Sequence, residues 1–219
     1  MRRLNLAFLA LCIFCNVKLF AQKSFSEGDF SYAITITGLN GEPSEILKGS
    51  TLHIYLKPSL SRSDMKSSFG SETNIYDNKN GKGFLLKEYS GQKLMITMNK
   101  DNWYQKNQLY NKLIFQVGEE FTDIAGQRCK KASALLPDGK IFVVYFNPEI
   151  LIVNKEYNNA FPNLPGLPVQ YEMQSGSLSF KYSLQSISWE PVSASKFETP
   201  KNGFRIMSFD ENQQLKKGE

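Results

Sequence analysis

Alternation of apolar and polar residues is the dominant pattern along this chain. Residues 29–38 alternate large apolar side chains with small polar ones, and the apolar series is Phe30, Tyr32, Ile34 and Ile36. A two-residue period of this kind is typical of a strand with one buried face. The same period recurs at 52–56, 94–98 and 178–184. The chain is therefore predicted to be mainly β.

Turn residues separate these segments. Glycine-containing turn pairs and clusters lie at 40–41, 77–81, 90–91, 138–139 and 175–176. Asp-Gly favours a tight hairpin because both residues tolerate positive φ, so Asp138-Gly139 predicts a hairpin between strands at 128–136 and 140–147. The run Ile141–Phe146 is apolar at every position, which predicts a central strand covered on both faces.

Helix signals are few. Asn99 is predicted to cap a short helix over 100–109, because its side chain can accept a hydrogen bond from the first turn. A short turn is predicted within 149–158, and a last helix is predicted at 211–217, capped by Asp210.

A many-stranded antiparallel sheet must protect its edges and cover its apolar face. Barrels, half-barrels and β-sandwiches all meet this requirement, and the pattern alone does not choose among them. No repeat of fixed period and no low-complexity linker divides the chain. Residues 23–219 are therefore predicted to form a single domain.

The N-terminus has the pattern of an export signal. Arg2 and Arg3 precede an apolar run from Leu6 to Phe14, and small Ala21 lies near the end of the segment. Residues 1–22 are predicted to be a cleavable signal peptide, because the apolar run is well short of the ~20 residues that a spanning helix needs. We expect cleavage after Ala21 or Gln22 and a periplasmic or secreted mature protein with no transmembrane segment.

Cysteine and charge change the picture once residues 1–22 are removed. Cys12 and Cys15 lie inside the apolar run, each behind a bulky residue, so a lipoprotein signal is not expected. Cys129 remains as the only thiol, and the domain must fold without disulfides. The net charge of +5 falls to +2, with 23 basic and 21 acidic residues. Such a balance gives no reason to expect nucleic acid as a partner.

One region carries more specific motifs. The segment 124–132 has the form Ile-x-Gly-x-x-Cys-x-x-Ala, and after the hairpin the chain runs Val-Tyr-Phe-Asn-Pro-Glu-Ile over 144–150. A proline-rich loop follows at 161–168 with the sequence Phe-Pro-Asn-Leu-Pro-Gly-Leu-Pro. In order and spacing, residues 121–175 resemble the GLPGLI family of exported bacterial proteins of unknown function. The chain departs from the family motif at Asn163, where the family has glycine, and at Pro168, where it has isoleucine.

The resemblance implies a fold and a class of function. The fold is a LolA-like (lipoprotein-carrier-like) half-barrel: one strongly curved antiparallel sheet with a few short helices, the alternative being a β-sandwich. The function is non-enzymatic binding of a hydrophobic small molecule or lipid in the half-barrel cavity. The alternative is an interaction or structural protein of the cell envelope, with a filled core, no ligand and a protein partner. The family carries no established catalytic residues, so none is transferred.

The residues themselves offer little chemistry. His53 is the only histidine and falls on the polar side of its strand, which excludes a histidine-rich metal cluster. Cys129 is predicted to be a small buried residue. The acidic group Glu119, Glu120 and Asp123 indicates surface charge. No glycine-rich phosphate loop or nucleophile elbow is present, so no catalytic, cofactor or metal residues are predicted.

Candidate contact residues come from the predicted helix and from the proline-rich loop. Trp103 and Tyr104 lie on a short helix at the mouth of a half-barrel, where one side of the helix is free. In the loop, Gly166 is predicted to supply the positive φ of a type II turn after Pro165. That loop either plugs one end of the core or forms the lip of a site. The predicted ligand or partner contacts are Trp103, Tyr104, Phe161, Leu164 and Leu167.

Overall fold

A computed structural model describes residues 22–38, 42 and 44–217. The predicted signal peptide, 1–22, lies outside the described residues apart from Gln22. Fourteen strands and two α-helices are present in the described part of the chain. The strands are β1 (Lys23–Phe25), β2 (Gly28–Thr37), β3 (Ser50–Leu56), β4 (Leu60–Ser67), β5 (Gly70–Asp77), β6 (Lys82–Tyr89), β7 (Gln92–Met98), β8 (Gln116–Ile124), β9 (Gln127–Leu135), β10 (Ile141–Asn147), β11 (Ile150–Ile152), β12 (Leu167–Ser175), β13 (Leu178–Ser188) and β14 (Arg205–Ser208). The helices are α1 (Lys100–Lys106) and α2 (Phe209–Lys217), with short 3-10 turns at Glu45–Leu47, Lys155–Tyr157 and Ala194–Phe197.

Twelve of these strands form one open sheet. Their order is β14-β7-β6-β5-β4-β3-β2-β13-β12-β10-β9-β8, and every pairing is antiparallel except that of β14 with β7. The two remaining strands, β1 and β11, pair with each other in parallel. The prediction of a mainly β, half-barrel fold with a few short helices is confirmed, and the β-sandwich alternative is wrong because one sheet holds nearly all the strands.

The inner face of the sheet carries the main core. Phe30 and Tyr32 on β2, which the alternation placed on a buried face, pack there with apolar residues of β3, β9, β10 and β12. Strand pairing extends this face across β4 to β7, where Leu85 and Ile96 lie opposite each other. The outer face of β5 to β7 has its own small cluster around Ile75, covered by Phe197 and Phe204.

Two segments of the chain cover the inner face. The first is α1 with the loop that follows it, and the second is the stretch 154–167 between β11 and β12. Asn154 anchors the second segment, because its buried amide donates to the carbonyl oxygens of Lys57 and Leu60 and accepts from Asn78. Asn159 joins the two segments by donating to the Trp103 carbonyl oxygen at 3.2 Å.

The two helices begin with reciprocal caps. The Asn99 side chain accepts from the Asn102 backbone N–H, and the Asn102 side chain accepts from that of Asn99, as the prediction of a cap at Asn99 requires. The cap of α2 differs from the prediction. Ser208 and Glu211 make the reciprocal bonds, while Asp210 lies inside the first turn. The helix therefore begins before the predicted position, with Ser208 instead of Asp210 as its cap.

One further expectation is corrected. The strand β10 is fully covered on one face only: Phe142, Val144 and Phe146 are buried, but on the other face Val143 and Tyr145 are half-buried and Ile141 is 70% exposed. This error arises because a short apolar run does not reveal how many of its faces are covered. The short turn predicted within 149–158 is present as the 3-10 turn Lys155–Tyr157, which follows β11.

The proline-rich loop closes one end of the sheet, and Gly166 is required there for a reason other than its predicted turn. Its φ is not positive. A Cβ at this position would lie 2.2 Å from the Asn147 carbonyl oxygen and 2.6 Å from Cδ2 of Phe146. The loop therefore packs backbone to backbone against the end of β10, and only glycine allows that approach.

We expect Gly166→Ala to destabilise the protein by about 1–3 kcal/mol, because the methyl group overpacks a filled contact. Urea unfolding followed by fluorescence measures the change. Gly38→Ala is the matched control, since its Cβ would meet no atom within 4 Å. Equal stability of the two variants would contradict the close approach.

Candidate functional site

The strands β10 and β12 separate at one end of the sheet. Their pairing begins at Asn147 and Leu167, continues past Pro168, and stops at Val144 and Tyr171. Beyond that point each strand keeps only its other neighbour, β9 for β10 and β13 for β12. The result is a split in the sheet at the end opposite the proline-rich loop.

A cavity of 440 Å³ occupies this split. Apolar side chains line it together with the charged and amide side chains of Asp138, Lys140, Glu172 and Gln174. Lys140 bridges the split by donating to Oε1 of Gln174 at 2.9 Å, and it also lies 3.5 Å from Asp138. The apolar lining residues are Leu109, Tyr110, Leu136, Ile141, Phe142 and Met173. We call this space the mouth cavity.

A second cavity, of 180 Å³, lies on the inner face beneath α1. Met173 lines both cavities and separates them. This space is lined by aromatic and polar side chains together with Leu52, Ile54, Met65 and Met173. Its lining includes Ser63, Glu72, Asn74, Trp103, Lys106, Asn107, Tyr157, Asn158, Asn159, Tyr171 and Tyr182. We call this space the inner cavity.

Strand register explains the polar wall of the inner cavity. Ser63 on β4 pairs with Asn74 on β5, and Met65 pairs with Glu72. These positions face inward, where an alternating strand normally carries apolar residues. Glu72 lies 3.8 Å from Lys87 on the next strand. A polar patch thus interrupts the apolar inner face.

Several buried polar atoms around the inner cavity have no hydrogen-bond partner within the described part of the chain. They include Nε1 of Trp103 and Oδ1 of Asn74, both in residues that line the cavity. Trp103 is only 4% exposed, and its ring stacks on that of Tyr76 at a centroid distance of 4.3 Å. Burying an unpaired polar group is costly, so this region carries unused hydrogen-bonding capacity.

Three tyrosines pack together beside the inner cavity, and two of them, Tyr171 and Tyr182, line it. Tyr171 and Tyr182 stack at 4.6 Å, and Tyr32 meets both rings edge-on. The Tyr32 hydroxyl donates to the Pro168 carbonyl oxygen at 2.8 Å. Burial raises the pKa of Tyr32 and of Tyr171 well above the usual value, and burial, with smaller effects of Glu72 and Tyr110, raises the pKa of Tyr182 to about 12.

The predicted contact residues do not come together at one place. Trp103 lines the inner cavity, while Tyr104 is partly exposed on the next position of α1. Phe161, Leu164 and Leu167 belong to the main core, with Leu164 2% and Leu167 0% exposed. The loop residues therefore contact protein, because the loop packs inward against β10 and β12.

The residues that line the mouth cavity and the polar wall were not singled out by sequence. Ser63 and Asn74 lie on strands whose alternation is weak, so their inward orientation shows only in the pairing register. Leu109 and Met173 look like ordinary core residues in the sequence. The one available signal was the unusually polar composition of 61–74 within a strand-rich region.

His53 and Cys129 are far apart. Their strands, β3 and β9, are separated by five strand spacings in the sheet, each about 4.8 Å. His53 is on the outer face, where it bonds Asp29 at 2.6 Å and stacks on Tyr55. Among the described residues no group of histidine, cysteine and carboxylate side chains could hold a metal ion, and no described helix is long and apolar enough to cross a membrane.

Comparisons with known proteins give only distant structural matches. No protein-family model matches the chain, and no curated protein is significantly similar to it in sequence. PNGF-II matches with 12% identity and a TM-score of 0.48, over 86% of this chain and 33% of PNGF-II. A chain of the Pseudomonas aeruginosa MucA/MucB complex matches with 11% identity and a TM-score of 0.39, over 79% of this chain and 56% of that chain.

LprF from Mycobacterium bovis is also similar, with 10% identity, a TM-score of 0.32, and coverage of 76% of this chain and 88% of LprF. The chain thus spans about a third of PNGF-II and little more than half of the MucB-type match. Matches at this level of identity and TM-score carry no information about function.

We expect the buried tyrosines to make stability sensitive to alkaline pH. Their pKa is raised in the folded protein, so their contribution is complete below the unfolded value of about 10 and is lost as the pH rises toward the folded values. Urea unfolding at about pH 9 and about pH 11 measures the loss, and Tyr171→Phe should make it smaller. The same loss in Tyr171→Phe would contradict this assignment.

We expect Cys129 to be unreactive in the folded protein. Its side chain is fully buried, and burial raises the pKa of the thiol to about 11. Because the thiolate is the reactive form, alkylation at about pH 8 should require urea. The measurement is mass spectrometry of a Cys12→Ser/Cys15→Ser variant treated with iodoacetamide. Rapid labelling without urea would show that the hairpin β8–β9 opens in the native state.

Proposed function

We propose that this chain is an exported, non-enzymatic binding protein of the LolA-like half-barrel type, related to the GLPGLI family. Its ligand is a hydrophobic or lipid-like molecule that enters through the split between β10 and β12. The observation that carries the proposal is the mouth cavity of 440 Å³, which falls within the size range of small-molecule sites and is lined in part by apolar side chains.

The position of the mouth cavity supports this function. The proline-rich loop blocks the opposite end of the sheet, with Leu164 and Leu167 buried. A ligand therefore approaches from the split, where Leu109 is 42% exposed and Ile141 is 70% exposed. Apolar side chains that line a cavity and remain accessible to water gain free energy when a ligand covers them.

The split also accounts for how a ligand can be admitted without breaking the core. The backbone ladder between β10 and β12 ends before the cavity, and the side-chain hydrogen bond from Lys140 to Gln174 crosses it. Such a bond between exposed side chains is worth little, so a ligand can displace it at small cost. Trp103 lies deeper, at the second cavity beyond Met173.

A second function is favoured by the buried loop. Phe161, Leu164 and Leu167 are part of the main core together with residues of β10 and β12, which is the arrangement expected of an envelope interaction protein with a filled core. Under that function the mouth cavity would stay empty, and a protein partner would cover the exposed residues around it.

A fluorescent fatty acid separates the two functions. We expect dansyl-undecanoic acid to bind the purified protein with a blue-shifted, enhanced emission, and Leu109→Glu to weaken binding at least about tenfold, because a leucine contact is lost and a charge enters the cavity. Leu215→Glu is the matched control, since Leu215 is exposed on α2. Absence of binding by the unmodified protein would leave the filled-core function.

A further inference from the structure

The inner cavity is lined by four asparagines and four aromatic side chains, a combination that the mouth cavity lacks, and it implies a second kind of ligand chemistry. We infer that the inner cavity binds a neutral, hydroxyl-bearing ring, that is, a single sugar unit. The inference builds on the proposed function, because Met173 lines both cavities, but each is tested by a separate probe.

Carboxamides form the hydrogen-bonding side of the inner cavity. Asn74, Asn107, Asn158 and Asn159 all line it. Each carboxamide offers both a donor and an acceptor, which is the combination that a hydroxyl group can use in either direction. Asn107 and Asn159 already donate to the Trp103 carbonyl oxygen and Asn158 accepts from the Ala160 N–H, so each of these three offers its remaining donor or acceptor to a ligand.

Existing hydrogen bonds leave part of this capacity unused. The Asn74 amide nitrogen makes only long contacts, 3.4 Å to Ser63 Oγ and 3.5 Å to Glu72 Oε1, and its Oδ1 has no partner within the described part of the chain. Nε1 of Trp103 is a donor that likewise has no hydrogen-bond partner within the described part of the chain. Buried polar groups are nearly always paired in folded proteins, and both of these unpaired atoms are shielded from solvent in residues that line the cavity.

Aromatic rings form the apolar side of the inner cavity. Trp103, Tyr157, Tyr171 and Tyr182 line it together. The face of an aromatic ring is electron-rich and attracts the weakly positive hydrogens of C–H groups. A sugar ring presents C–H groups on its faces and hydroxyl groups around its rim, and the two kinds of wall match those two kinds of surface.

Charge and size exclude other ligands. Glu72 and Lys106 both line the cavity, and Glu72 is within 3.8 Å of Lys87, so the ligand need carry no net charge. A phosphate or carboxylate would meet the Glu72 carboxylate as well as the Lys106 ammonium, so the lining gives an anion no net attraction. The volume of 180 Å³ corresponds to about six water molecules at roughly 30 Å³ each. A ring fits this volume, whereas an acyl chain would leave the carboxamides unpaired.

The two tryptophans make the inference directly measurable. The chain has only Trp103 and Trp189, and Trp189 lies outside the inner cavity, packed on Phe25 beneath Lys23. Trp189→Phe therefore leaves Trp103 as the only tryptophan emitter. Trp103→Phe is the matched variant, since it keeps a ring against Tyr76, removes Nε1 and leaves a reporter outside the inner cavity.

The probes are methyl and octyl glycosides of glucose, galactose, mannose and N-acetylglucosamine. We expect at least one methyl glycoside to shift the Trp103 emission of Trp189→Phe and protect it from acrylamide, with a dissociation constant in the millimolar range typical of so small a ligand. In Trp103→Phe the emission should not change. Asn74→Leu should weaken binding at least tenfold by calorimetry, whereas Asn202→Leu, at an exposed site, should not.

Comparing the octyl glycosides with the methyl glycosides shows whether the sugar is free or is the head group of a lipid. If the ligand is the head group of a glycolipid, the octyl glycoside binds more tightly than the methyl one, by up to about fourfold for each methylene buried in the mouth cavity. If the methyl and octyl glycosides bind with equal affinity, the ligand is a free sugar. That result supports sugar binding in the inner cavity and counts against the proposed binding of a hydrophobic ligand in the mouth cavity.

Two results would overturn the inference. The first is that octyl glycosides or the fatty acid probe bind but no methyl glycoside does. In that case the proposed function stands, but the inner cavity is not a sugar site. The second is a methyl glycoside that binds unmodified protein and Asn74→Leu equally. Circular dichroism spectra and melting temperatures of all variants show whether each is folded, and Asn74→Ser replaces Asn74→Leu if the latter is not.

Discussion

An open sheet of twelve strands has an apolar inner face that the sheet itself cannot close. A barrel removes this problem by joining its edges, but here β14 and β8 remain apart. The chain instead folds two connecting segments, 100–115 and 154–167, over the inner face. The stability of the sheet, the shape of both cavities and the identity of their linings all depend on how completely these two segments cover it.

The coverage is uneven, and the unevenness creates the candidate site. At the end closed by the proline-rich loop, Gly166 lets backbone pack on backbone and no space remains. At the other end β10 and β12 separate, and the loop after α1 reaches across only partly. Between these ends the inner face changes from apolar to polar at Ser63, Glu72 and Asn74. A ligand with an apolar part and a polar part matches this order of surfaces.

Much of the fold could be predicted from sequence, because alternation reports directly on strands with one buried face. β2, β3, β7 and β13 have such a face, and the hairpin at Asp138-Gly139 follows from its turn residues. The errors concern contacts that alternation does not record. The approach of Gly166 to Asn147 and the exposure of Ile141 both depend on which segment lies above the strand.

The candidate site was much less predictable. Trp103 was identified because a short helix was expected at the mouth of a half-barrel, but the residues opposite it come from strands distant in sequence. Ser63 and Asn74 become neighbours of Trp103 only through strand register and the packing of α1. Phe161, Leu164 and Leu167 were suggested by a conspicuous motif, yet the features that make the loop conspicuous are those that let it pack inside the core.

The short ladder between β10 and β12 divides the sheet into units of different local stability. Pro168 has no N–H to donate, and the register shifts between Tyr145 and Phe146, so few backbone bonds hold β8, β9 and β10 to the other nine strands. Amide hydrogens of β10 should therefore exchange with solvent through local opening, whereas those of β2 and β13, deep in the long ladders, exchange only on global unfolding. The three-stranded unit is in this sense a separate cooperative element, and a ligand in the split would slow its exchange by holding the two parts of the sheet together.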